Sequence, residues 1–278
     1  MNDLKQFGLK TENPTYIIAE VGINHSGNID VAKKLIDSAA RTGCDAVKFQ
    51  TYITEKRAPN ADENIKSLLK RCELPFNDFA ILKKHSEEQN LQFFSTPFDN
   101  ESVDYLESIN TDLYKIASFD VENKIFLTKI AKTNKPILMS VGMVDLNKVQ
   151  LAYKLITDFN KKLAILHCVS SYPTKEIQAN LGILNVLKDK FSNCIIGHSD
   201  HTIGIKVPLY AVATGARILE KHYKIDEDMD CVDKTVSISE DQMKKLVKET
   251  RLFEKIIGNS KKAIIDDEKG SLQFKRYS

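Results

Sequence analysis

Two lysines interrupt stretches that otherwise read as buried strand, Lys48 in Ala46-Val-Lys-Phe-Gln50 and Lys115 in Leu113-Tyr-Lys-Ile-Ala117. An ammonium among Val, Phe, Tyr and Ile is costly unless a counter-ion or a ligand meets it. Pairing with Glu20 or Glu220 would satisfy either lysine alone, and for one lysine that reading weighs as much as function. Two of them, with Ser95, Thr96, Ser118, Ser140 and Ser170 following apolar runs, tilt the balance toward an anion site. Two ammoniums and a set of hydroxyls suit a small, highly charged substrate such as a carboxylated phosphate.

The second group is imidazole. Of six histidines, four follow apolar runs. His201 and His222 come after consecutive runs, and Glu20 and Asp233 are further donors. Nitrogen and oxygen ligands of this kind suit Mn²⁺ or Zn²⁺. The alternative is a pair of histidines hydrogen-bonded to local backbone, and spacing alone leans slightly that way. His85 falls on a polar helix. His25 and His198 support other groups or sit in loops. Asp226-Glu-Asp228 reads as a solvated loop.

These residues need a frame that gathers them. Short β-rich runs begin at Tyr16-Ile-Ile-Ala-Glu-Val21 and recur at 46–50, 91–95, 113–117, 136–140, 163–167, 194–197 and 217–222. Helical periodicity follows each, first with Ile29, Ala32, Leu35, Ile36 and Ala39 on one face, then over 76–90, 100–109, 123–132, 145–158, 181–191, 205–215 and 239–256. Strict β-then-α alternation implies a parallel sheet covered by helices. Eight units in this length predict a closed (β/α)₈ TIM barrel over residues 1–265, with 266–278 as a tail or the start of a linker. An open doubly wound sheet would carry Gly-x-Gly-x-x-Gly after its first strand, and Glu20-Val-Gly-Ile-Asn-His-Ser-Gly27 is not that. Barrel enzymes place their chemistry at the C-terminal ends of the strands, where these polar residues fall.

The bulk numbers exclude several classes. The 278 residues carry a formal charge of +2, which gives no reason to expect nucleic acid or an anionic membrane as partner. No apolar run is long enough for a membrane helix, and Met1-Asn-Asp-Leu-Lys-Gln-Phe7 lacks a signal-peptide core. Five cysteines without Cys-x-x-Cys indicate neither a disulfide framework nor a zinc knuckle. The expected location is cytoplasmic.

Taken together, the motifs are similar to those of the N-acetylneuraminate (sialic acid) synthases, which are phosphoenolpyruvate-dependent sugar acid synthases. The matching segments are Ala19-Glu-Val-Gly-Ile-Asn-His-Ser-Gly27, Val47-Lys-Phe-Gln50, Phe94-Ser-Thr-Pro-Phe98, Tyr114-Lys-Ile-Ala-Ser118 and Ser140-Val-Gly-Met143. They continue with Leu166-His-Cys-Val-Ser-Ser-Tyr-Pro-Thr174, Gly197-His-Ser-Asp-His-Thr202, Leu219-Glu-Lys-His222 and Val232-Asp233, in order over residues 15–240. The resemblance reverses the leaning on the histidines. It implies that His201 and His222 hold a divalent metal, Mn²⁺ first and otherwise Mg²⁺, Co²⁺ or Zn²⁺, with Glu20 and Asp233 nearby. It implies that Lys48, Thr96, Lys115, Ser118, Ser140 and Ser199 grip phosphoenolpyruvate, and that Gln50, Asn60, Tyr172 and Asp233 contact an N-acetylmannosamine-like aldehyde. Glu20, then Asp233, are the expected proton-transfer groups.

The sequence also departs from that family. Phe119-Asp120 replaces the usual Gly-Glu, so Asp120 carries the charge on a shorter arm, and Ser170 replaces Asn. Both leave the acceptor's identity open. Full-length members continue into an antifreeze-like domain that reaches over the partner's barrel and adds an arginine to the sugar site. Here Gly270-Ser-Leu-Gln-Phe-Lys-Arg-Tyr-Ser278 falls where that linker begins. The expected assembly is a homodimer, with a separate lid-domain protein as a further partner. The rival readings are a Schiff-base class I aldolase on Lys115 or Lys48, a metal hydrolase, and a non-catalytic sugar-binding or regulatory barrel.

Overall fold

Side chains alternate faces along a strand, so a strand buried on both sides must satisfy two environments at once. Tyr16 and Ile18 join one apolar cluster, and Ile17, Ala19 and Val21 join another. The computed structural model describes residues 3–258 and 261–276. In it, eight parallel strands close in sequence order into a barrel. They are β1 Tyr16–Gly22, β2 Ala46–Thr51, β3 Gln92–Pro97, β4 Tyr114–Ile116, β5 Ile137–Ser140, β6 Leu163–Cys168, β7 Ile195–Asp200 and β8 Ile218–His222. The predicted (β/α)₈ barrel is the fold, and each predicted helix is present, from Ile29–Ala40 to Glu240–Ile257.

The outer faces pack on these helices. Val47, Phe49 and Phe93 meet Leu35, Ile36, Phe79 and Leu82, while Ile137, Met139 and Ile165 meet Leu127, Ile130 and Ile156. The inner faces hold Tyr16, Ile18, Ala46, Phe94, Leu113, Leu138, Ala164, Leu166, Ile195 and Ile218. Leu4, Phe7 and Leu9 join that inner cluster, so the short helix Leu4–Phe7 plugs the barrel's N-terminal end. The inner layer leaves no room at Gly197, where a Cβ would lie 2.5 Å from both the Ile218 carbonyl and Leu166.

Three helices were not predicted: the plug, Thr54–Arg57 and Glu63–Cys72. Glu63–Cys72 carries Ile65, Leu68, Leu69 and Cys72 at i, i+3, i+4 and i+7, an amphipathic stripe of which Leu69 and Cys72 are buried. It docks through Gly27, in the left-handed region at φ 73°, where a Cβ would lie 2.1 Å from the Arg71 carbonyl. Asp266–Phe274 forms 3₁₀ turns with no buried residue. Among the described residues no helix is long and apolar enough to cross a membrane.

Candidate active site

One step further along the strands, the inward positions change from apolar to charged. Ile18 gives way to Glu20, Ala46 to Lys48 and Gln50, Phe94 to Thr96, and Ile218 to Glu220 and His222. Register sets Glu20 beside Lys48, Gln50 beside Thr96, and Glu20 beside His222. These side chains, with Lys115, Ser118, Ser140, Tyr172, Ser199, His201 and Asp233, line a cavity of about 220 Å³ at the C-terminal mouth.

The charges interlock. Lys48 Nζ lies 2.8 Å from Glu20 Oε1 and 3.7 Å from Glu220 Oε1, and it donates to Thr96 Oγ1 at 3.1 Å. Lys115 Nζ is also 3.7 Å from Glu220 Oε1, which accepts from Ser199 Oγ at 2.9 Å. Burial works against the Lys48 charge, but Glu20 and Glu220 outweigh it and hold Lys48 above the ordinary lysine value. Lys115 has less counter-charge, and burial lowers it. Burial opposes the Glu220 charge too, yet Lys115 and Lys48 bring Glu220 down to about 2. Burial and the neighbouring Glu220 raise Glu20 despite Lys48. The site therefore holds one firmly ionised carboxylate and one carboxyl poised to carry a proton.

The histidines converge beside this group. Their ring centroids are 5.4 Å apart, and the Tyr172 ring lies 4.1 Å from that of His201. His201 Nδ1 is hydrogen-bonded to the Val169 carbonyl at 2.8 Å, which leaves Nε2 for the cavity. Burial, reinforced by His222, depresses His201 to about 3, so its imidazole is neutral. His222 Nδ1 stands 3.3 Å from Asp233 Oδ2 without a hydrogen bond between them. Burial works to lower His222, but Asp233 outweighs it and raises the imidazole.

The supports are structural residues. Asn24 accepts from Asp233 N at 2.9 Å and donates to the Tyr223 carbonyl and Ser237 Oγ, each at 2.9 Å, so it ties the Asp233 loop to β1. On the outer face of β7 and β8, Lys221 Nζ meets Asp200 Oδ2 at 2.6 Å and His198 Nε2 meets Asp200 Oδ1 at 3.2 Å. That buried cluster holds the two strand ends bearing His201 and His222. Gly22, at φ 56°, underlies the acid side, where a Cβ would be 3.2 Å from both Gln50 Nε2 and Glu20 Oε1.

As a pair of nitrogen donors, His201 and His222 fit a divalent cation. The neutral His201 ring, anchored through Nδ1 and free at Nε2, is the form such an ion needs. Among the described residues no group of three or more His, Cys, Asp or Glu is arranged to hold an ion.

A family model described as the NeuB family matches residues 35–262. The chain belongs to the NeuB family. An N,N'-diacetyllegionaminic acid synthase of Campylobacter jejuni is 36% identical over 280 residues, covering 95% of this chain and 84% of that protein. An uncharacterised Methanocaldococcus jannaschii protein is 40% identical over 266 residues, covering 95% and 78%. Among solved structures, the N-acetylneuraminic acid synthetase of Leptospira borgpetersenii in complex with citrate superposes with a TM-score of 0.90 at 37% identity, covering 94% of this chain and 91% of that one. This NeuB-family chain is thus an enzyme, an acid synthase of carbohydrate biosynthesis on a TIM barrel.

Of the predicted site residues in this NeuB-family barrel, two lie outside the cavity lining. Asn60 is exposed in the turn after Thr54–Arg57. Asp120 closes the 3₁₀ turn Ser118–Asp120, whose Phe119 lines the cavity instead, and burial pushes its carboxyl up to about 6 against the pull of Arg57. Residues not singled out for the site also line it: Glu220, which was weighed only as a counter-ion, and Arg57. Glu220 had a signal, its place two residues before His222 on one face of β8. Arg57 had none, because Thr-Glu-Lys-Arg reads as a solvated turn.

Proposed function

We propose that this enzyme joins phosphoenolpyruvate to an N-acylated amino-sugar aldehyde, giving a nonulosonic acid and phosphate. The observation that carries the reading is the pairing, in one cavity, of two buried lysines and a hydroxyl collar with two convergent imidazoles. The names of its relatives, legionaminic and pseudaminic acid synthases among them, support the product class. The citrate complex of the Leptospira neighbour is a compact polyanion in a related protein. Five free cysteines suit a cytoplasmic setting.

Lys115 and Lys48 grip the phosphate and carboxylate, with Thr96, Ser118, Ser140 and Ser199 as hydroxyl partners. Ser140 Oγ is buried without a hydrogen-bond partner, so a ligand oxygen would complete it. His201 and His222 would hold a divalent cation, Mn²⁺ first, which when bound polarises the acceptor's aldehyde oxygen. Carbon 3 of phosphoenolpyruvate forms the new bond to the aldehyde carbon, and the aldehyde oxygen gains a proton. Water adds at carbon 2, and the bond from carbon 2 to the bridging oxygen breaks to release phosphate. Glu20, buried and raised, carries the proton at Oε2, the oxygen left unpartnered. Asp233 is the second group within reach. The lysines stabilise the departing phosphate charge.

A second reading, a Schiff base on Lys115, is favoured by the burial that lowers its pKa. The deciding assay is phosphate release from phosphoenolpyruvate with Mn²⁺ across N-acylated hexosamines. Release that needs both an acceptor and the cation is expected. Acceptor-independent exchange with borohydride-trappable pyruvate would install the imine mechanism instead.

A further inference from the structure

The ladder between β7 and β8 stops one residue short of the imidazoles. Its last registered pair is Asp200 opposite Lys221, and His201 and His222 are the residues that follow. From there the two strand ends are tied to different neighbours. His201 is held toward β6, its carbonyl accepting from Thr174 N at 2.9 Å, and Thr202 bridges to Thr174. His222 is held toward β1, opposite Glu20, and its carbonyl accepts from Ile238 N at 2.9 Å. A side chain spans the gap between them. Lys221 Nζ meets Asp200 Oδ2 at 2.6 Å and also donates to the Thr202 carbonyl, one residue past His201. Asp200 in turn accepts from Thr202 N at 3.1 Å and from the Thr202 hydroxyl at 2.9 Å, so His201 sits inside a closed ring of hydrogen bonds.

Stability does not call for an ion pair here. The two side chains are 0% and 1% exposed, on an outer face where other strands present Val47, Phe93, Ile137 and Ile165 to their helices. Desolvating an ammonium and a carboxylate offsets most of their attraction, and an apolar pair of the same volume is commonly as stable or more so. What the ion pair adds is a fixed direction and distance. Successive residues of a strand point to opposite faces, so fastening Lys221 to Asp200 on the outside sets how far apart His222 and His201 stand on the inside. Ligands to an ion must be held within about 0.5 Å of the productive geometry by the groups around them. We infer that Asp200 and Lys221 are positioning residues that set the spacing of the two imidazoles and, through it, the affinity for a divalent cation. The inference rests on the reading of His201 and His222 as cation ligands.

The test removes both charges together, so that no lone ion is left buried. In the double variant Asp200→Asn, Lys221→Met, the amide oxygen still accepts from Thr202 N, and methionine is close to the lysine stem in volume. Mn²⁺ binding is followed by electron paramagnetic resonance of the free ion, phosphoenolpyruvate binding by calorimetry without metal, and stability by the urea midpoint. The double variant should keep a urea midpoint close to the parent's and bind Mn²⁺ at least about tenfold more weakly, the loss typical of an outer-shell support. Its phosphoenolpyruvate affinity should stay within about twofold, because Lys48 and Lys115 stand on other strands and contact neither residue. If the double variant does not fold, the isosteric Asp200→Asn carries the test alone and should weaken Mn²⁺ binding about threefold or more. Unchanged Mn²⁺ affinity in the folded variant would make the pair a structural tie and overturn the inference. Equal losses for Mn²⁺ and phosphoenolpyruvate would overturn it too, since the whole site would then have loosened. A parent chain that binds no Mn²⁺ would remove the cation reading itself, and this inference with it.

Discussion

Lys48 and Lys115 look alike in sequence, but their surroundings divide the labour. Lys48 is locked to Glu20 at 2.8 Å, whereas Lys115 has its counter-charge at 3.7 Å and donates otherwise only to the Ile116 carbonyl at 3.4 Å. The looser ammonium can turn to an incoming anion at lower cost. Lys115→Met should therefore weaken phosphoenolpyruvate binding by about 1.5–3 kcal/mol and change the acceptor's affinity much less. Titration calorimetry with each substrate separately checks this, and equal losses for both would refute the division. Residue types alone carried this much of the site, because an ammonium or imidazole within apolar strands is conspicuous. The counter-ions were harder to read. Glu220 and Glu20 are each one carboxylate at a strand end, and only closure of the barrel reveals that the two lysines hold Glu220 down while burial raises Glu20.

At the scale of elements, one alternation serves two purposes. Outward residues fasten strands to helices, and inward residues switch from apolar packing to polar function within two positions, as in Ile18 and Glu20 or Ile218 and Glu220. That boundary was legible because period-two burial is local. The helix Glu63–Cys72 was missed although its signals are local, the stripe Ile65, Leu68, Leu69 and Cys72 and the N-cap Asp62, which accepts from Asn64 N and Ile65 N; what the sequence does not disclose is its docking, where Gly27 meets Arg71 across the chain. The inner packing layer gives a direct test. Gly197→Ala would drive a methyl to 2.5 Å from the backbone of β8, which must yield since a carbonyl has no rotamer to change. Overpacking of this kind costs about 1–3 kcal/mol. The urea midpoint should fall accordingly, and an unchanged midpoint would mean that the β7–β8 contact is softer than its geometry implies.

For the whole molecule, the plugged end of the barrel is apolar and the open end is a dense set of buried ionisable groups. Stability should therefore vary with pH more than the formal charge of +2 suggests. The groups that set the upper limb are buried histidines remote from the His201/His222 pair. Burial brings His25 down to about 4 against opposition from the Gly22 backbone, and its ring stacks on Phe49 at 6.0 Å. Burial likewise brings His167 to about 4, with its Nε2 bonded to the Ala179 carbonyl at 2.8 Å. Both are neutral when folded, while the unfolded chain takes up a proton on each as pH falls below about 6.5. The unfolded state thus binds more protons between about pH 6.5 and 4, and stability in that window rises with pH. The contribution is full above 6.5 and is lost progressively down to 4, at up to about 1.4 kcal/mol per pH unit for each histidine. Below that, carboxylates held down in the fold, such as Glu240 at about 2, where Arg41 outweighs a small burial penalty, extend the loss. His25→Gln retains an acceptor for the Gly27 N–H, which bonds His25 Nδ1 at 3.1 Å, and removes one titrating group. Its stability at pH 7 may be compared with that at pH 5 by urea unfolding, and the difference should be smaller than in the parent by about the contribution of one histidine. Parallel pH profiles for variant and parent would show that His25 is as easily protonated in the folded chain as in the unfolded one.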